Sequence, residues 1–218
     1  MRAIERQGVD FVLDVGANRG QWATELRASG YAGRIVSLEP LAEPYAALVE
    51  RSETDHNWSA QRLALGEEDG PSKISVAGNL VSSSMLPMTE RHIEGAPASA
   101  PVGTESVHVA RLDSVSQELL GEGTRVFLKL DVQGYELSAL RGAEDTLDAV
   151  RVIEAELSLV ELYAGQPLLP EVFEFLRGHG FDCIGLDPGF TDPSTGDMLQ
   201  ADGLFVRGPR REPAEPDA

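Results

Sequence analysis

The chain reads as an α/β protein, a single Rossmann-like domain with a mostly parallel seven-stranded sheet, helices on both faces and an extra hairpin or loop insertion. Three observations predict this. Short apolar runs alternate with stretches of helical spacing along most of the 218 residues, the order that builds a parallel sheet covered on both sides. Gly16 and Gly20 separate the first apolar run from the first helical one. The length suits one domain that buries a core without disulfides, and Cys183 is the only cysteine.

The elements follow in order. Phe11–Val15 is a buried strand, bounded by Gly16, and Gln21–Ala28 has helical spacing. Arg34–Glu39 is a second strand that ends in a carboxylate. Leu41–Glu50 is helical, with Pro44 in its first turn, where a missing N–H costs nothing. Gln61–Leu65 reads as a third strand, Gly66–Gly70 as a turn, and Ser72–Val76 as the hairpin partner. Periodicity fades from Gly78 to Gly103, and so long an irregular stretch in a small domain is functional or mobile. Val107–Asp113 is strand-like and Val126–Asp131 is a buried strand. Glu136–Leu147 has helical composition weakened by Gly142, and Val150–Glu156 is a further strand. Leu169–Arg177 is a helix with proline at its start, and Phe181–Leu186 and Gly203–Arg207 are the last strands. The domain is expected to span 1–208, with a disordered tail rich in proline and charge at 209–218.

The net charge of −18 argues against a nucleic-acid partner, because phosphate binding needs a basic face; the acidity reads as a solubility device. Cys183 lies in an apolar run and is expected to be a buried structural thiol. No apolar segment has transmembrane length, and Met1–Glu5 lacks a signal-peptide core, so the expected location is cytoplasmic.

In an open α/β sheet, ligands collect beyond the carboxyl ends of the strands. Asp14, Glu39, Asp131 and Glu156 each close an expected strand and should share one crevice. Glycines at 16 and 20 let a ligand meet backbone, and the free amides of the following helix favour an anionic group. An acid at the end of the second strand suits the two hydroxyls of a ribose, so a nucleoside-containing cofactor is expected at Glu39. A dinucleotide fingerprint starting at Gly16 would need glycine where Asn18 and Gln21 stand, which disfavours a nicotinamide-dependent oxidoreductase. The spacing Asp14-x-Gly16-x-x-x-Gly20 resembles instead the loop of class I methyltransferases, which bind S-adenosylmethionine. There Asp14 could face the methionine ammonium, directly or through water. Each acid also has a bland alternative, a helix cap or a solvated loop carboxylate; for Asp131, followed by Gly134 and Glu136, capping competes directly.

A longer series of residues resembles the FkbM-type family of S-adenosylmethionine-dependent methyltransferases. It comprises Leu13-Asp-Val-Gly-Ala-Asn-Arg-Gly20, Leu38-Glu-Pro40, Ala64-Leu-Gly-Glu-Glu-Asp-Gly70, and Asn79 with Ser82-Ser-Ser-Met85. It continues through Arg111-Leu-Asp-Ser114, Leu128-Lys-Leu-Asp-Val-Gln-Gly-Tyr-Glu136 and Leu140-Arg-Gly-Ala143. The resemblance implies methyl transfer to a hydroxyl of a sugar, a glycan or a secondary metabolite. It implies cofactor contacts at Asp14, Gly16, Ala17, Asn18, Gly20, Glu39, Pro40, Ala64, Leu65 and Asp131. The family often carries Glu where this chain has Gln133, so no essential carboxylate is assigned there.

Methyl transfer to oxygen needs an acceptor held in line, a group that takes the hydroxyl proton, and exclusion of water. Asp131 is the first candidate base and Glu156 the second. His92, in the irregular stretch, competes, whereas His108 alternates within a strand-like segment and reads as structural. Asp131 and Glu156 could instead hold a magnesium ion, which prefers oxygen ligands, although no full ligand set is visible. Asn79, Ser82, Ser83 and Ser84 are candidate substrate contacts. A homodimer would help to cover an open site. The competing reading is a non-catalytic scaffold that retains the fold.

Overall fold

The computed structural model describes residues 1–121 and 123–208; the expected tail at 209–218 lies outside the described residues. Chain order is α1 (Arg2–Gln7), β1 (Phe11–Val15), α2 (Gln21–Ala28), β2 (Arg34–Leu38), α3 (Ala42–Ser52), β3 (Trp58–Gln61), β4 (Ala64–Leu65) and β5 (Gly70–Ala77). Then come α4 (Glu90–Gly95), β6 (Pro101–Ala110), α5 (Leu112–Leu119), β7 (Val126–Leu130), α6 (Glu136–Arg141), β8 (Val150–Ser158), α7 (Leu169–Gly178), β9 (Phe181–Pro188) and β10 (Gln200–Arg207).

The main sheet has seven strands in the order β3-β2-β1-β7-β8-β10-β9. Strands β3 to β8 in that order run parallel, and β10 runs antiparallel to both its neighbours. From β1 the chain winds outward through β2 to β3, then returns to lay β7 on the other side of β1. That reversal opens a crevice beyond the carboxyl ends of β1 and β7.

Alternation within β1 divides the core. Phe11, Leu13 and Val15 pack with Leu128, Leu140 and Leu176 on one face. Val12 packs with Ile35, Phe127, Val152 and the buried side of α2, Ala23 and Leu26, on the other. Burial of this apolar surface is the main stabilising term, roughly 25 cal/mol per Å². Asp14 falls on the α2 face with Val12, which decides its environment below.

Several expected boundaries move. The third strand divides: Trp58–Gln61 extends the main sheet beside β2, whereas Ala64–Leu65 pairs with β6 in a separate three-stranded sheet. Ser72–Val76 lies within β5 and pairs with β6, not with the expected partner. An apolar run announces a strand but not its partner, which is chosen by contacts distant in sequence. Helix α5 begins inside the expected strand 107–113, and α4 lies inside the irregular stretch. The expected helix 136–147 stops at Gly142, where a Cβ would lie 1.9 Å from the Gly66 carbonyl oxygen. Cys183 is half-buried, on the edge strand β9, rather than fully enclosed. Among the described residues no helix is long and apolar enough to cross a membrane.

Candidate functional site

A cleft of about 280 Å³ opens at the reversal between β1 and β7. Its β1 side is the turn that starts at Gly16. Gly16 has φ +75°, and a Cβ there would stand 1.8 Å from the backbone oxygen of Asp131, so only glycine lets the two loops touch. The turn is closed on itself. The amides of Gly16 and Ala17 both donate to the Leu38 carbonyl at 3.0 Å, and the Asn18 amide donates to Glu39 Oε2 at 2.9 Å. These three turn amides are therefore engaged within the protein. Helix α2 begins at Gly20 with no side-chain cap. Gly20 itself faces Leu48 and Trp58 and does not line the cleft.

Glu39 is 5% exposed, lines the cleft, and accepts from the Leu41 amide at 2.8 Å as well as from Asn18. Burial pushes its carboxyl up to about 7, against the lowering effect of those two amides. Each oxygen keeps a lone pair for a ligand hydroxyl. Ala17, Asn18, Pro40, Ala64 and Leu65 line the same cleft, as does Asp131.

Asp14 does not. It is fully buried beneath α2, its Oδ2 accepting from Ser37 Oγ at 3.0 Å and its Oδ1 lying 3.6 Å from Lys129 Nζ. Burial raises its carboxyl, and Lys129 works in the opposite direction. The expectation that Asp14 faces a ligand ammonium is thus corrected: a resident ammonium stands there. The available signal was a lysine inside the otherwise apolar run Val126–Leu130.

Lys129 also approaches Asp131 Oδ2, at 3.3 Å. Gln133 Nε2 donates to Asp131 Oδ1 at 2.8 Å and to Glu156 Oε2 at 2.9 Å, while Tyr163 donates its hydroxyl proton to Gln133 Oε1 at 2.7 Å. Asp131 is thereby held with its carboxylate facing the cleft. Glu156 lies behind Gln133, off the cleft, and accepts a second bond from Gln200 Nε2 at 2.7 Å. Burial first, then the nearby Asp131, push the Glu156 carboxyl well up. Surrounded by amide donors and an ammonium, the pair does not fit a cation site. Among the described residues no group of three or more His, Cys, Asp or Glu is placed to hold a metal. The capping role considered for Asp131 falls to Glu136, whose Oε1 accepts from the amides of Val132 and Gly134.

The 79–85 segment reaches over the cleft, but its polar groups are turned inward. Ser83 and Ser84 line the cleft, while Asn79 and Ser82 bond each other away from it. Ser83 Oγ donates to the Leu80 carbonyl and Ser84 Oγ to the Gln133 carbonyl. Leu80, Val81 and Met85 supply the apolar lining. The non-glycine residues with positive φ among those described, Asn18, Leu80 and Gln133, all line this cleft, where backbone strain of about 1–3 kcal/mol each is held by the surrounding bonds. His92 is elsewhere. It is 3% exposed between the rings of Tyr163 and Phe190, off the cleft, and burial lowers its pKa. A buried imidazole behind Tyr163 cannot touch a ligand in the cleft. His108 is exposed on β6.

Comparison with known proteins adds a family to this geometry. The family model described as "Methyltransferase FkbM domain" matches residues 14–183. A methyltransferase FkbM of Methylobacillus flagellatus KT has a similar solved structure, with 16% identity and a TM-score of 0.55; the match covers 91% of this chain and 43% of that one, so this chain spans less than half the other's length. The magnesium protoporphyrin IX methyltransferase of Synechocystis PCC 6803, solved with S-adenosylmethionine bound, is 11% identical with a TM-score of 0.52, over 95% of this chain and 74% of that one. Fibrillarin of Aeropyrum pernix, also solved with S-adenosylmethionine, is 14% identical with a TM-score of 0.51, over 94% and 73%. At such identities the likeness shows the fold. Nothing among the curated proteins matches.

Proposed function

The chain belongs to the FkbM-type methyltransferase family, and from that premise we propose an S-adenosylmethionine-dependent O-methyltransferase acting on a hydroxyl of a sugar, a glycan or a secondary metabolite. We assign the activity to residues 1–208. One observation carries the reading: Glu39 and Asp131, at the ends of β2 and β7, face a single cleft with the Gly16–Asn18 turn between them.

Glu39 would hold the ribose hydroxyls, and Pro40, Leu41, Ala64 and Leu65 offer an apolar wall for the base. When bound, S-adenosylmethionine supplies an electrophilic methyl group on a positively charged sulfur. The chain's own task is to place an acceptor oxygen and to take its proton. Asp131 is the proton acceptor, its carboxylate fixed from two sides by Lys129 and Gln133. Leu80, Val81 and Met85 keep water from the reacting centre. The acidity of the chain supports an acceptor other than nucleic acid.

Calorimetric titration with S-adenosylhomocysteine tests the donor; absence of binding to the intact chain refutes it. Transfer of labelled methyl to a panel of glycans, hydroxylated metabolites and an RNA control tests the acceptor. Asp131→Asn should keep S-adenosylhomocysteine affinity within a few-fold and lose about a hundredfold or more in transfer. Full transfer by that variant would move the base elsewhere.

A further inference from the structure

Strands β1, β7 and β8 set Asp14, Lys129 and Glu154 side by side in register, on the sheet face covered by α2. The two acids flank one cation but differ in access. Asp14 is fully buried beside Lys129 Nζ and does not reach the cleft. Glu154 lines the cleft and, among the described residues, has no ion-pair partner within 4.0 Å. Its Oε1 accepts from the Trp22 indole N–H at 2.8 Å, which fixes the carboxylate, and its Oε2 accepts no protein hydrogen bond among the described residues. The charged lining as a whole is Glu39, Asp131, Glu154 and Asp202 against Lys129 alone. A ligand that brings a cation would redress this imbalance.

We propose that Glu154, and not Asp14, receives the α-ammonium group of the methyl donor's amino-acid arm. This rests on the donor reading above. The sheet supplies the span. Strands β2, β1, β7 and β8 are consecutive neighbours, so Glu154 lies on the order of 14 Å across the sheet from the strand that leads into Glu39, at about 4.8 Å per strand, with Glu39 two residues further along. The ribose-to-ammonium arm of an extended adenosyl amino acid, together with the reach of the two glutamate side chains and a hydrogen bond at each end, covers that distance. Lys129 has taken the role open to Asp14, and the next acid along the row is the one left facing the ligand.

The test compares two probes by calorimetry on the full chain: S-adenosylhomocysteine, and 5′-methylthioadenosine, which lacks the amino-acid arm. Glu154→Gln keeps an acceptor for Trp22 and should weaken S-adenosylhomocysteine about tenfold or more while leaving methylthioadenosine within about twofold. Wild-type affinity for S-adenosylhomocysteine in that variant overturns the proposal, as does an equal loss for both probes. Thermal unfolding checks that the variant folds. Should it not fold, Trp22→Phe, which removes the indole N–H that orients Glu154 together with part of the ring lining the cleft, should still weaken S-adenosylhomocysteine several-fold more than methylthioadenosine, and an equal loss for the two probes there overturns the proposal. Wild-type protein that binds neither probe refutes the donor reading itself, a result distinct from all of these.

Discussion

Ligand affinity should depend on pH through Glu39, and the structure gives both sign and size. Burial holds this carboxyl near 7 in the free protein, above the 4.5 of an exposed glutamate. The folded protein therefore carries an extra proton between those two values, and its stability falls as pH rises through that window, by about 3 kcal/mol at 1.36 kcal/mol per unit. Ribose hydroxyls donate to the ionised form, so a bound nucleoside expels the proton. The ionised fraction falls from about nine-tenths at pH 8 to about one-tenth at pH 6, which weakens S-adenosylhomocysteine about tenfold across that range. Calorimetry at pH 6, 7 and 8 reads this directly. Glu39→Gln should bind about tenfold or more weakly at pH 8 and lose that slope, because nothing titrates at the ribose. An affinity that stays level from pH 6 to 8 in the wild type, or an equal slope in the variant, would refute the reasoning.

Two stability predictions follow from the same cleft. Gly16→Ala places a Cβ 1.8 Å from a backbone oxygen at a positive φ, and neither loop yields cheaply. A loss of about 3 kcal/mol or more is expected in thermal unfolding, and a melting point within about two degrees of wild type would contradict it. Tyr163→Phe removes the hydroxyl that holds Gln133 and the Ser82 carbonyl in a fully buried position. It should cost about 1–3 kcal/mol in a urea titration and leave S-adenosylhomocysteine affinity unchanged; an unmoved midpoint would mean that the network contributes nothing.

The main sheet was legible because its strands are short, apolar and punctuated. Phe11–Val15 and Gln21–Ala28 have the boundaries that the glycines and spacing suggest. The second sheet was not legible, because β4 and β5 find β6 across a long stretch of sequence. At the site, sequence identified the residues that meet backbone, such as Gly16 and Glu39. It misplaced those whose meaning depends on a neighbouring strand. Asp14 looked like a ligand contact until Lys129, on the adjacent strand, was seen beside it. Gln133 was set aside for lacking a carboxylate, yet its neutral amide is what bonds both Asp131 and Glu156. His92 resembled a base only while its burial against Tyr163 was unknown. The serines of 82–84 looked available to a substrate, but Ser82 and Ser83 bond within their own loop and Ser84 donates to the Gln133 carbonyl.

What enters the cleft between β1 and β7 decides the activity of this chain. The most direct measurement is the binding of S-adenosylhomocysteine and of NAD to the intact chain at pH 8, each repeated with Glu39→Ala. Saturable binding of S-adenosylhomocysteine, weakened by the substitution, and no binding of NAD are expected. Binding of NAD alone, or S-adenosylhomocysteine affinity indifferent to Glu39, would contradict the donor reading.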